Sequence, residues 1–150
     1  DMVVGSYGYS SYAGAVHIFY GPVTGTYTIS TDYDAEILGD NASEYLGYYD
    51  SAMETGDIDG DTVDDLLLGS YYSQAGNSYG GAMFAFYGAL SGSYLASGAD
   101  VILYGDSSNY MGRGVALGDL NSDGLNDLTT GAYYASSYAG EAYILLNGSF

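Results

Sequence analysis

Cysteine is absent from this chain, and with it disulfide staples and thiolate metal sites. Basic residues are almost absent too. Arg113 stands alone against nineteen acids, for a formal net charge of −18. Phosphate recognition relies on lysine and arginine, so this balance excludes nucleic acid and anionic membrane as partners. His17 is the single histidine, which leaves no serine–histidine–acid set to assemble. No apolar run reaches the length needed to span a bilayer, so membrane insertion is not expected. No signal peptide is present, and the sequence reads as a mature or trimmed product.

What the chain does contain is a 47% hydrophobic fraction, 24 glycines and 20 tyrosines in 150 residues. That is enough apolar material for one domain with a core, 1–150, and too much for wholesale disorder. The acids are also patterned. In Gly56 to Gly69 the carboxylates Asp57, Asp59, Asp61 and Asp65 take the first, third, fifth and ninth places of a loop. The grammar returns with Asp119, Asn121, Asp123 and Asp127. Like charges crowded into one turn repel unless a hard, oxygen-seeking cation neutralises them, which predicts two Ca²⁺ sites. The seventh-place carbonyls, Val63 and Leu125, complete the two expected ligand sets. The plain alternative is a pair of solvated acidic turns without metal.

An EF-hand is excluded because the twelfth places are Leu68 and Thr130 rather than glutamate, and because short strand-like runs follow each loop. Two bound calcium ions would leave the net charge at about −14, so self-repulsion should penalise the metal-free fold. With no disulfide available, calcium is the expected cross-link. Millimolar calcium outside cells suits loops of this kind, which points to an extracellular or cell-surface setting. Asn41 and Asn147 open Asn-x-Ser triplets, the acceptor pattern for N-glycosylation.

Self-similarity decides the architecture. Asp1-Met-Val-Val-Gly5 aligns with Asp65-Leu-Leu-Leu-Gly69 and Asp127-Leu-Thr-Thr-Gly131, and each is followed by a tyrosine- and serine-rich segment and an apolar run ending in glycine: Gly14 to Gly21, Gly81 to Gly88, Glu141 to Gly148. Valine, isoleucine, tyrosine and phenylalanine between glycine punctuation predict strands, with no foothold for helix. Each period divides into four: B after the acidic loop, C up to the next glycine, D, and A leading into the following loop. D is expected at Tyr27 to Ile29 through Ile37 to Leu38, and again at about Ala99 to Tyr104. A is expected at about Tyr45 to Thr55 and at Tyr110 to Leu117. The fold class is therefore all-β, as tandem four-stranded antiparallel propeller blades: a partial blade 1–39, a full blade 40–105 and a partial blade 106–150.

These residues resemble the FG-GAP repeats of integrin α-subunit β-propellers. The resemblance rests on Met111-Gly112-Arg113-Gly114-Val115-Ala116-Leu117-Gly118-Asp119, on the two acidic loops, and on Gly69-Ser70-Tyr71 and Gly131-Ala132-Tyr133. The proline of GAP is absent, and Gly47 lies three residues further from its loop than Gly112 does, which predicts a bulge in the first A strand. The resemblance implies that the A-to-B loops lie on a lower face and the B-to-C and D-to-A loops on an upper, ligand-meeting face. There the tyrosines Tyr7, Tyr9 and Tyr12, then Tyr71, Tyr72 and Tyr79, then Tyr133, Tyr134 and Tyr138 recur in equivalent places. Exposed, they suit sugar faces or protein interfaces; packed between blades, they would be structural. His17 aligns with Phe84 and Ile144, a packing position, and Arg113 is expected to pair with a carboxylate.

No distinct acid and base remain once the metal loops are set aside, so the chain does not read as an enzyme. The function expected is a calcium-stabilised extracellular structural or adhesive module. Counting strands gives ten, or two and a half blades, with open edges at both ends. Head-to-tail self-association into a filament follows from that count, with Met2 to Val4 or Tyr143 to Leu146 pairing across protomers and a third calcium site completed at Asp1 by another segment. The alternative is a carbohydrate- or protein-binding, lectin-like fragment of a longer propeller protein.

Overall fold

The computed structural model describes residues 1–147 and is all-β. β1 (Met2–Gly5), β2 (Ala15–Phe19) and β3 (Ala35–Leu38) open the chain, followed by β4 (Met53–Gly56), β5 (Asp65–Ser70) and β6 (Ala82–Phe86). Then come β7 (Gly92–Leu95), β8 (Val101–Tyr104), β9 (Met111–Gly118), β10 (Asp127–Ala132) and β11 (Glu141–Leu145). They form three sheets, ordered β1-β2-β3-β7, β4-β5-β6-β8 and β11-β10-β9. The middle sheet is a full A-B-C-D blade, antiparallel throughout.

Alternation along the strands explains how the sheets stack. Leu66 and Leu68 of β5, with Phe84 and Phe86 of β6, pack against Val16, Ile18 and Ile37 of the first sheet. Their neighbours Leu67, Met83 and Ala85 point the other way, against Val115 and Leu128 of the third. A strand buried on both faces has no polar side, which is why β5 carries the unbroken apolar run Leu66 to Leu68. Each large side chain buried here contributes about 1.5–3 kcal/mol.

Four local expectations need correction. There are eleven strands among the described residues, because β7 was not foreseen, and it pairs parallel with β3 rather than antiparallel. The link from C to D of the middle blade thus reaches back to close the outer edge of the first sheet. Tyr27 to Ile29 is not a strand; D of the first blade is confined to Ala35–Leu38. The first A strand is short, Met53–Gly56, and its three additional residues are taken up by a 3-10 turn at Asp50–Ala52 rather than a bulge. Finally, Tyr9–Tyr12 and Ala135–Tyr138 each make one helical turn, distorted by left-handed φ at the paired serines Ser10 and Ser11, and Ser136 and Ser137.

The segment between β2 and β3 folds over the outer face of the first sheet. Tyr27 meets Phe19 edge-on at 5.5 Å between ring centroids, and Tyr33 lies 5.2 Å from His17. His17 occupies the place that Phe84 takes in the middle blade, and it is buried, as a packing residue should be. Its Nε2 lies 3.7 Å from Glu36, while Nδ1 has no hydrogen-bond partner among the described residues. Burial holds its pKa below the ordinary histidine value, opposed in part by the Glu36 charge.

Candidate functional site

Both acidic loops join strands, β4 to β5 and β9 to β10, with helices on neither side. In the first loop the side chains fold the backbone around themselves. Asp57 accepts the N–H groups of Gly60 at 2.7 Å and Thr62 at 3.0 Å, Asp59 accepts that of Asp61 at 3.0 Å, and Asp61 accepts that of Val63 at 2.7 Å. Carboxylate oxygens of Asp57, Asp59 and Asp61 converge to within 4.8 Å of one another. Removal from water, opposed by the hydrogen bond from Asp61, pushes the Asp59 carboxyl up, and the charges of Asp61, Asp65 and Asp57 push it further in the same direction.

The second loop repeats this wiring. Asp119 accepts from Asp123 and Gly124, Asn121 accepts from Asp123 at 3.0 Å, and Asp123 accepts from Leu125 at 2.9 Å. In the first loop the all-oxygen set of three converging carboxylates, held by their own backbone, fits a hard divalent cation.

The ninth-place acids are built in differently. Asp65 is buried, and its two oxygens accept the N–H groups of Ile58 at 2.6 Å and Gly88 at 2.6 Å. Asp127 does the same with Leu120 at 2.8 Å and Asn147 at 2.7 Å. Asp1 holds the Gly21 N–H at 2.7 Å, the third instance of the contact to the end of strand C. This second duty of the ninth-place acid was not visible from spacing, because its partner lies some twenty residues downstream. The exposed side chain of Val63 sits at the loop tip, and Leu125 is half-buried.

Eight of the nine candidate tyrosines, all but Tyr9, lie in one continuous array. Tyr7 stacks with Tyr12 and meets Tyr48 edge-on at 4.6 Å. Contacts then run through Tyr45 to Tyr71 and Tyr72, from Tyr72 to Tyr79 and Tyr110, and from Tyr110 to Tyr133 and Tyr134, ending at Tyr138, 4.1 Å from Tyr134. The rings pack on each other across blade boundaries and still face outward: Tyr12 is 50% exposed and Tyr138 69%. Tyr9 is exposed. Tyr45, Tyr48, Tyr49 and Tyr110 belong to the array too, and sequence reasoning missed them. Their signal was available, since Tyr45 and Tyr110 each stand directly before the hydrophobic-glycine step.

Arg113 does not pair with a carboxylate among the described residues. Its guanidinium lies over the rings of Tyr49 at 4.6 Å and Tyr133 at 5.1 Å, bridging two blades. Burial pushes the Tyr71 phenol up to about 12. Of the two Asn-x-Ser asparagines, Asn41 is exposed but donates its amide to the buried Glu44 at 3.0 Å. Asn147 is buried, with its amide on the Ile58 carbonyl, and the serine of its triplet lies outside the described residues. No helix among the described residues is long and apolar enough to cross a membrane.

The FG-GAP repeat family model matches residues 111–145. The chain is 32% identical over 104 residues to integrin alpha-3 of Mus musculus, across 68% of this chain and 10% of that protein. It is 31% identical to integrin alpha-5 of Xenopus laevis, across 73% of this chain and 11% of that protein. It is also 30% identical over 143 residues to phosphatidylinositol-glycan-specific phospholipase D of Bos taurus, across 90% of this chain and 17% of that protein. The chain thus spans between about a tenth and a sixth of the length of these relatives. With two acidic loops in equivalent places, and hydrophobic-glycine and Gly-Ser or Gly-Ala steps around them, the chain belongs to the FG-GAP repeat proteins of the integrin α-like kind.

Proposed function

We propose that this chain is a calcium-stabilised extracellular adhesive module, part of a propeller, that presents its tyrosine array to a protein or carbohydrate partner. The convergence of Asp57, Asp59 and Asp61 carries the calcium part of this reading. One ion would sit among these three, with Asp65 and the Val63 carbonyl completing the set. A second would sit among Asp119, Asn121 and Asp123, with Asp127 and the Leu125 carbonyl. Calcium here supplies charge neutralisation and rigidity, so that the loops stop repelling and the sheets they join are fixed in orientation. Asp1 holds the equivalent ninth place and would join a third site if another segment brought the rest of a loop.

The array supports the adhesive part. Flat rings fixed by mutual contact lose little freedom on binding, and their hydroxyls remain available to a partner. No catalytic acid–base pair is needed for such a role, and that one relative bears the name of a phospholipase does not supply one here. The bare edge of β11 and the uncovered face of the third sheet support joining to further repeats. Of the two forms of joining, a filament of identical chains would require the third sheet to pack on the outer face of the first. The 20–34 segment already lies on that face, which bears equally on a further blade placed there, so the joining proposed is at the third sheet.

Binding of glycans or extracellular matrix proteins to the immobilised chain, with and without chelator, tests the reading. Loss of binding in chelator and on alanine substitution of Tyr138 is expected. Binding indifferent to both would refute it.

A further inference from the structure

The common covalent staples of proteins are closed to this chain. Cysteine and lysine are both absent, which rules out disulfides and lysine-derived cross-links. What it has in abundance is tyrosine, at 20 residues, with no tryptophan to compete for an oxidant.

The fold sets two phenols side by side at each junction between blades, and it does so by one device used twice. Tyr12, between β1 and β2, accepts at its carbonyl the N–H of Tyr45, from the segment leading into β4, at 2.9 Å. Tyr79, between β5 and β6, accepts in the same way from Tyr110, which leads into β9, at 3.2 Å. All four residues have left-handed φ: 64° and 58° in the first pair, 52° and 53° in the second. Such a conformation is costly for a residue with a side chain and persists only where the surrounding contacts impose it. Here the backbones are in direct contact beside each pair. A Cβ on Gly14 would overlap the carbonyl oxygen of Leu46, and one on Gly81 would overlap that of Met111.

The rings are consequently held in matching geometry. Their centroids lie 5.5 Å apart with planes inclined by 34° at the first junction, and 6.1 Å apart at 31° at the second. One ring of each pair is open to solvent. Tyr12 is 50% exposed and Tyr79 37%, and Tyr79 keeps that exposure with a sheet packed on either side of its own. Tyr45 and Tyr110 are half-buried. Tyr72 touches both Tyr79 and Tyr110, at 5.1 Å and 5.3 Å, and also Tyr45, at 5.7 Å. A radical formed on one ring can therefore pass to the next by exchange of an electron and a phenolic proton, and reach either pair.

We propose that Tyr12 with Tyr45 and Tyr79 with Tyr110 are dityrosine sites, at which a haem peroxidase using hydrogen peroxide joins neighbouring blades covalently. Each phenol gives up one electron and its hydroxyl proton and becomes a phenoxyl radical. The two radicals couple through ring carbons ortho to the oxygens. The hydrogens on those carbons then move to the oxygens, which restores both phenols. Each pair has lost two hydrogens in all, and these reduce one peroxide to two waters. The new bond closes a loop of chain across the junction, restricting the unfolded state as a disulfide would. It also holds the blades together when calcium is withdrawn. The inference goes beyond the adhesive reading and takes from it only the extracellular setting of the oxidant.

The test supplies the oxidant directly and so stands apart from that setting. The full chain, in calcium and dilute enough to make encounters between chains rare, is treated with a haem peroxidase and limiting peroxide. It is then digested with an aspartate-directed protease and read by mass spectrometry. Two cross-linked peptides should dominate, one holding Tyr12 and Tyr45 and the other Tyr79 and Tyr110, each two hydrogens lighter than its parts. Tyr45→Phe and Tyr110→Phe keep a ring in place and remove the phenol, so each should abolish its own cross-link and leave the other. The cross-linked chain should melt at a higher temperature in chelator than the untreated chain. Absence of either peptide, coupling mainly between chains, or the same spread of tyrosine pairs in urea would overturn the proposal. An unchanged melting temperature in chelator would overturn it too.

Discussion

The carboxylate of Asp65 accepts the backbone N–H of Gly88 at 2.6 Å, tying the end of β6 to the end of the acidic loop. Asp1 with Gly21 and Asp127 with Asn147 repeat the contact. The ninth acid of each repeat is therefore a staple between strands whether or not a cation is bound, and that separates it from the acids at the loop tip.

Asp61→Ala and Asp65→Ala should consequently differ in kind. Asp61 is exposed and accepts one N–H within its own loop, so its loss should remove the calcium-dependent part of stability and little else. Asp65→Ala leaves the Ile58 and Gly88 N–H groups unsatisfied and should cost about 2–4 kcal/mol even in chelator. Thermal melts of both variants with calcium and with chelator check this. Equal losses in chelator would contradict the staple.

His17 makes stability depend on pH on the acid side. Its folded pKa lies below the unfolded value, so the unfolded chain binds the extra proton first. Its contribution is complete above about pH 6.5 and is lost as pH falls from there through the folded pKa. His17→Phe, which restores the residue found at position 84, should flatten the dependence. Urea midpoints between pH 5 and pH 8, with and without the substitution, measure it, and an unchanged slope would count against the assignment.

Tyr71 acts on the alkaline side. Its phenol is held up to about 12, so the folded chain keeps a proton that the unfolded chain releases near pH 10. The stability this confers is present below pH 10 and declines as pH rises from there through the folded value. Phenolate absorbance should show Tyr71 among the tyrosines that ionise late in the folded protein, with Tyr33, Tyr87, Tyr110, Tyr138 and Tyr143 also held up, and all ionising together after unfolding. Tyr71→Phe should diminish that late phase by one phenol.

Arg113 joins Tyr49 of one blade to Tyr133 of the next. Arg113→Ala is expected to cost about 0.5–2 kcal/mol, and Arg113→Lys to recover part of it, since an ammonium keeps the charge but not the planar stacking. Chemical denaturation of the three proteins gives the values. A neutral Arg113→Ala would reassign the residue to the solvated surface.

The features legible in the sequence were those fixed locally. Glycines bracketing apolar runs marked β2, β5, β6 and β10, and the acidic spacing located both loops, because such loops are wired by bonds between near neighbours such as Asp57 and Gly60. Strand β7 was hidden because Gly92-Ser-Tyr-Leu95 carries almost no buried face; it is a strand only through parallel pairing with β3, more than fifty residues earlier. The 3-10 turn at Asp50–Ala52 was hidden because three extra residues can be absorbed as a bulge or a turn, and the packing of Ala52 decides. Arg113 was misread because a lone cation among nineteen acids suggests an ion pair, whereas the fold brings two rings to it.

Calcium titration by calorimetry, on chain first stripped with chelator, bears most directly on the central claim. Two ions per chain are expected, with the Asp61→Ala and Asp123→Ala variants each losing one, and a melting temperature that rises with calcium. Absence of heat and of any shift in melting temperature at millimolar calcium would contradict the account.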